Sequence, residues 1–244
     1  MSALAHSIET RGIATTVVGL VRPHLEKSKV PRGLFVPFQL GRPFGEPGDK
    51  AFQRRVLLQA LRLLERPAGP VIIEDFPADP PNWRDTPGWR PPFTLPALAL
   101  PEADDVRGWS SALAAELMIL RPWQARSAAL RGRSTVGLSQ QASAAWPDYA
   151  ATFLGQAMPL PPPGLPSAAL ALRFLCDDLK AFYGEAVQAE GPYPASRQLD
   201  RWFWDETVAG AMLQALRRAG MASDNAALKT VAARFFVPGP YVKA

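Results

Sequence analysis

IATTVVGLVRPHLEKSKVPRGLFVPF, residues 13–38, is the stretch whose reading decides the fold. Ile13 to Val21 is apolar and β-branched almost without a break, which suits a strand buried on both faces. Pro23 ends that strand. Arg22 to Arg32 is strongly charged, with Arg22, His24, Glu26, Lys27, Lys29 and Arg32. Within it, Pro23 suits the first position of a single helical turn, and Pro31 closes the segment. Leu34, Phe35 and Val36 then make a second short strand. Two apolar strands joined by a charged loop predict a sheet whose loops carry the chemistry.

Upstream, Ala3 to Arg11 reads as a short helix, with Leu4 and Ile8 on one face and Gly12 placed to end it. Downstream, Leu40 to Asp49 holds Gly41, Gly45 and Gly48 with Pro43 and Pro47, so it is not regular structure. Asp49 is a suitable N-cap. The helix it opens runs to about Arg66, with Phe52, Val56, Leu57, Ala60, Leu61 and Leu64 on one broad apolar stripe. Pro67 and Gly69 stop it. Val71 to Ile73 is a third strand, ending in Glu74 and Asp75. Strand, helix and strand form a crossover, which should be parallel and right-handed.

After Phe76 the composition changes. Ala78 to Pro101 is proline-rich and extended, with Trp83, Trp89 and Phe93 pinning it to the fold. Helices are expected from Trp109 to Leu120, from Trp123 to Leu130 and from Pro147 to Met158, with Pro122 separating the first two. Ser167 caps a helix to Ala189. Leu199 to Ala219 is another, and Ser223 or Asp224 caps the last, to Phe235. The fold class is α/β: a small parallel sheet with a crossover helix at the N-terminus, plus an all-helical C-terminal lobe. The parts are residues 1–76, an extended connector over 77–105, and the helical lobe over 106–244.

A composition of 48% hydrophobic and 20% charged residues is that of a globular chain, not a disordered one. Cys176 is the only cysteine, which rules out an intramolecular disulfide and fits a reducing compartment. The N-terminal apolar run is interrupted by His6, Glu9 and Arg11, unlike a signal peptide. No run reaches the roughly 18 apolar residues of a membrane helix, so the cytoplasm is expected. The net charge of +5 is scattered, without the interleaved aromatics of a nucleic-acid platform.

His24 and Glu26 follow a predicted central strand, and open parallel sheets bind ligands at that carboxyl edge. A histidine exchanges protons near neutral pH, and Glu26 or Lys27 would tune it. Arg22 adds a charge to the same loop. Gly41 to Gly48 leads into a helix N-terminus, where free N–H groups favour an anion, and Arg42 would add a charge-assisted contact. That spacing fits neither a dinucleotide fingerprint nor a Walker loop, so structural turn glycines are the stronger reading and no cofactor is named. Of Glu74 and Asp75, only one side chain can face a site. Cys176, on an apolar helix between Leu175 and Asp177, reads as structural rather than nucleophilic. No spacing suggests a metal site. Trp202, Phe203 and Trp204 read as core packing before a cleft wall.

The ordered features over residues 3–75 carry a resemblance. A helix leads into Gly12, Ile13, Ala14 and Thr15, and a valine-rich strand follows. Then come the loop Pro37, Phe38, Gln39, Leu40, Gly41, Arg42 and Pro43, and the helix bearing Arg54 and Arg55. This front resembles the C-terminal part of the glycine/sarcosine/betaine reductase selenoprotein B family, with its D-proline reductase relatives. It looks like a stand-alone subgroup whose loop reads Arg22, Pro23, His24, Leu25, Glu26 and Lys27. The resemblance implies reductive C–N chemistry on a small anionic or amine substrate, with a partner redox subunit or a homo-oligomer. The family's selenocysteine or cysteine sits just upstream of the helix matching Ala3 to Arg11. Here Met1 and Ser2 stand in that place, so the redox residue is expected to be missing. Two functions follow. One is a reductase-like protein with His24 as acid/base, Arg42 as anion contact and Glu74 nearby. The other is a non-catalytic ligand-binding or interaction module.

Overall fold

The computed structural model describes residues 2–38, 41–46, 48–66, 71–79 and 85–243. The expectations for Gln39, Leu40, Pro47, Pro67, Gly69 and Trp83 fall outside the described residues. The chain divides into two compact units, Met1–Arg84 and Asp85–Ala244.

The first unit has the order α1 (Ser2–Glu9), β1 (Val17–Gly19), α2 (Arg22–Lys27), β2 (Arg32–Phe35), α3 (Lys50–Arg62) and β3 (Ile72–Asp75). The three strands form one parallel sheet in the order β1-β2-β3. β2 is therefore the central strand and β1 an edge, which corrects the reading of Ile13–Val21 as a central strand. β1 is also shorter than expected, with Ile13 exposed outside it.

Side-chain alternation assigns the faces. Leu34 and Ile72, with Val18, pack with Phe52, Val56 and Ala60 of α3 and with Leu63 beyond it. On the opposite face, Gly19 of β1 leaves room for Leu25 of α2, and Gly33 of β2 leaves room for Val30. A Cβ at Gly19 would lie 2.6 Å from Leu25 Cδ2, and one at Gly33 would lie 2.8 Å from Val30 Cγ2. The charged segment after β1 is a six-residue helix, longer than the single turn expected there, seated by Leu25 against Gly19. Both crossovers step the same way across the sheet while α2 and α3 cover opposite faces. They therefore have opposite hands, and the right-handed rule holds for only one of them.

α3 buries Phe52, Val56 and Ala60, one residue every turn. The stripe expected to be broader is split, because Leu57, Leu61 and Leu64 face outward and are exposed. At the amino edge, buried Arg32 donates from Nη1 to Glu9 Oε1 at 2.5 Å and from Nε to the Arg66 carbonyl at 3.3 Å. Glu9 also accepts from the backbone N–H and hydroxyl of Thr15 at 2.8 and 2.9 Å.

The second unit is helical among its described residues: α4 (Val106–Arg131), α5 (Trp146–Leu154), α6 (Ala168–Val187), α7 (Ser196–Glu206), α8 (Val208–Ala222) and α9 (Ala226–Val231). Residues 85–105 belong to this unit, since Trp89, Phe93 and Leu95 pack into its core. α4 runs through Pro122, where a break was expected. Pro122 and Met118, whose carbonyl loses its helical partner, both lie on the solvent-exposed side of the helix. Leu113, Leu117 and Leu120 of α4 share one core with Leu172, Leu175 and Leu179 of α6.

The helix expected from Leu199 to Ala219 is two. Thr207 leaves helical geometry at φ −119° and ψ 146°, donates to the Phe203 carbonyl at 2.7 Å and accepts the Gly210 N–H at 3.0 Å. No proline marks that break. Asp49 and Ser167 cap α3 and α6 as expected, while Asn225, not Ser223 or Asp224, caps α9.

Candidate functional site

The parallel strands bring Gly19, Phe35 and Asp75 to one carboxyl edge, so α2 and the segment after β2 both leave from that edge. Arg22 opens α2 and reaches across. Its Nε donates to Asp75 Oδ1 at 2.9 Å, and its Nη1 pairs with Glu26 one turn later. Glu26 is therefore engaged by Arg22. His24 and Lys27 are exposed, and among the described residues their side chains make no hydrogen bond or ion pair.

Asp75, not Glu74, faces this cluster. Glu74 shares the parity of Ile72 and turns to the α3 face, where Oε1 accepts from Arg66 Nη2 at 2.7 Å. Expecting Glu74 beside His24 picked the wrong member of an alternating pair.

The segment 41–48 is built as structure. Gly41, Gly45 and Gly48 have φ of +89°, +87° and +87°, the left-handed region in which glycine is unstrained. Gly45 lies against Phe52 so closely that a Cβ there would sit 2.6 Å from the ring. Arg42 donates to Glu46 Oε2 at 3.0 Å, and Gln53 Nε2 donates to the Glu46 carbonyl at 2.8 Å. At the start of α3, the Asp49 carboxylate already accepts the Phe52 N–H at 3.0 Å. The anion-receiving end of the helix thus holds the chain's own anion, and Arg42 has a carboxylate partner. The substrate-binding expectation for Gly41 and Arg42 gives way to a turn that buttresses Phe52.

Phe52 meets Phe38 and Phe76 in a triad with centroid separations of 5.5 to 5.6 Å, and the Arg55 guanidinium lies over Phe52 and Phe76. On the α3 side the carboxyl edge is an aromatic plug. On the α2 side it carries the paired charges of Arg22, Glu26 and Asp75, with His24 and Lys27 exposed on the same helix.

Three acidic residues in the helical unit escaped the sequence reading. Asp178, fully buried on α6, accepts from the N–H groups of Gly137, Leu138 and Ser139 at 2.8 to 2.9 Å and from the Ser139 hydroxyl at 2.6 Å. Two turns along the same face, Glu185 accepts from Gln124, from Ser134, and from the N–H and hydroxyl of Thr135. Burial raises the Glu185 carboxyl, but those donors outweigh it and hold its pKa below the ordinary value. Two acids seven residues apart on an apolar helix, with a Ser/Thr segment to receive, were the available signal.

Glu116 of α4 is the third. It accepts from Tyr183 Oη at 2.6 Å and from the Val208 N–H at 2.9 Å, at the start of α8. Burial pushes its pKa up, and these bonds only partly offset that. All three carboxylates spend their lone pairs on the fold.

Cys176 has no exposed surface. Burial, with a smaller contribution from Asp177, pushes its thiol up to about 12 against the opposing charge of Lys180. Among the described residues no helix is long and apolar enough to cross a membrane. Comparison of the chain with family models, with curated proteins and with solved structures finds no match.

Proposed function

We propose that this chain is a non-catalytic, reductase-like binding subunit. Its sheet edge receives a small anionic or amine molecule beside His24 and Lys27, and the redox group comes from outside these 244 residues. The observation carrying the proposal is the state of the reactive groups. The one cysteine is sealed, with its pKa pushed up to about 12, so thiolate at neutral pH is negligible. Glu26, the expected partner of His24, is engaged by Arg22. An edge with an exposed imidazole and ammonium but no free carboxylate base suits holding a ligand or partner better than moving its protons. The resemblance over residues 3–75 supplies the ligand class.

The test is to incubate the purified chain with sarcosine and dithiothreitol. Binding without methylamine release is expected. Catalytic release of methylamine, surviving Cys176→Ala and lost in His24→Ala, would replace this reading with that of a reductase acting through His24.

A further inference from the structure

The outward side of α3 is a second surface, and it does not depend on the sheet-edge reading. α3 turns Phe52, Val56 and Ala60 into the core. On its far side Lys50, Arg54, Leu57, Leu61 and Leu64 follow one another four and three residues apart, so they form one ridge along the helix. Leu57, Leu61 and Leu64 are 47%, 45% and 37% exposed, and Leu58 beside them is 37% exposed. Four neighbouring leucines in water, rimmed by charge, mark a contact surface rather than scattered exposure.

The rim is mostly of one sign. Residues 50–66 hold five cations, Lys50, Arg54, Arg55, Arg62 and Arg66, against one carboxylate, Glu65. Arg66 is paired with Glu74, and Arg55 lies over the Phe52 and Phe76 rings. Lys50, Arg54, Arg62 and Glu65 are exposed, and among the described residues their side chains make no hydrogen bond or ion pair. Three uncommitted cations thus stand against one uncommitted anion. The unit shares the bias: residues 1–84 hold twelve Lys and Arg against eight Asp and Glu, which is +4 of the chain's +5.

That sign decides between occupants. A second copy would set the same three cations against their equals across a two-fold axis, with one carboxylate from each side to meet them. The ridge also spans about two heptads, short of the three to four a coiled coil needs. The helical unit has fifteen basic and fourteen acidic residues over 85–244, so it brings no net opposing charge. A protein partner needs a matching face of roughly 800 Å². A lipid surface needs no matching shape: leucines sink to the acyl boundary while Lys and Arg reach the headgroup phosphates.

We propose that α3 seats this chain on a bilayer leaflet bearing anionic headgroups, with Leu57, Leu61 and Leu64 at the acyl boundary and Lys50, Arg54 and Arg62 on phosphates. The contact is attachment to one leaflet, since no described helix is long and apolar enough to cross.

Sedimentation of the full chain with phosphatidylcholine vesicles, with and without a third of the lipid as phosphatidylglycerol, tests this. Binding is expected to the anionic vesicles and little to the neutral ones. Arg54→Gln with Arg62→Gln should weaken it on the order of twentyfold, at about fivefold per cation. Leu57→Gln with Leu61→Gln, helix-compatible changes at exposed positions, should weaken it on the order of tenfold with the melting temperature kept. If either pair lowers the melting temperature, acrylodan on Leu61→Cys in a Cys176→Ala background reads the same ridge. Its emission should shift to the blue on the anionic vesicles and stay in place on the neutral ones. Four results would each overturn the proposal: no binding to the anionic vesicles, equal binding to both kinds, binding indifferent to both double variants, or a label already blue without lipid and unmoved by it. The last would give the ridge to a protein surface.

Discussion

Gly210 stands where α8 begins against the end of α7. A Cβ there would lie 2.1 Å from the Phe203 carbonyl oxygen, which is backbone and has no rotamer to yield. Gly210→Ala, harmless by helix propensity alone, should instead cost about 3 kcal/mol, read as a lowered urea midpoint. A neutral or stabilising result would show that the two helix ends can part. Nearby, Glu116 gives a pH signature. Its folded pKa is raised, so the folded state binds more protons than the unfolded state between the ordinary value of 4.5 and the raised one. Stability from this residue is complete below about pH 4 and falls as pH rises through that window. Relative to Glu116→Gln, wild type should lose stability from pH 4 to 7; parallel curves would contradict the assignment. Glu9 has the opposite sign. Burial raises its carboxyl, but Thr15 and Arg32 pull it below its ordinary value, so its stabilisation is lost as pH falls through the folded pKa. None of these roles is visible in sequence. A buried Glu and a surface Glu look alike until the partner 92 residues away, the Val208 N–H, is known.

At the scale of elements, α2 shows what sequence can and cannot say. Its charges, its Pro23 and its place after a strand were legible, and so was its carboxyl-edge location once the strands were taken as parallel. Its full length and its seating were not, because they depend on Gly19 of the neighbouring strand leaving the space that Leu25 fills. Leu25→Ala should empty that seat at a cost of about 2–5 kcal/mol. Gly19→Ala should clash with Leu25, and the double variant should cost less than the sum of the two, because the new methyl enters the vacated space. Strict additivity in urea melts would argue that α2 rests elsewhere. The same reasoning explains the glycine loop: three left-handed glycines and a preceding strand fit an anion cradle or a buttress equally well. Asp49 on the helix N-terminus and the Gly45–Phe52 approach decide for the buttress. The aromatic run Trp202 to Trp204 was legible as core and is core, with all three residues buried.

Across the whole molecule, the reactive inventory is small and mostly committed. Cys176→Ala should leave any binding intact, and native Cys176 should stay unmodified by iodoacetamide at neutral pH until the chain is unfolded in urea. With two histidines in the sequence, the imidazole protons give a reporter for each. His6 bonds through Nε2 to the Ser28 carbonyl at 3.1 Å, while His24 is exposed on α2. The most direct measurement is therefore a proton NMR time course of the chain with sarcosine and dithiothreitol, following both imidazole signals and the methylamine region in one tube. The His24 signal should move with sarcosine concentration while His6 stays in place, and no methylamine should appear over hours. Steady release of methylamine, or a His24 signal that ignores sarcosine, glycine and betaine alike, would contradict a non-catalytic binding role for the sheet edge.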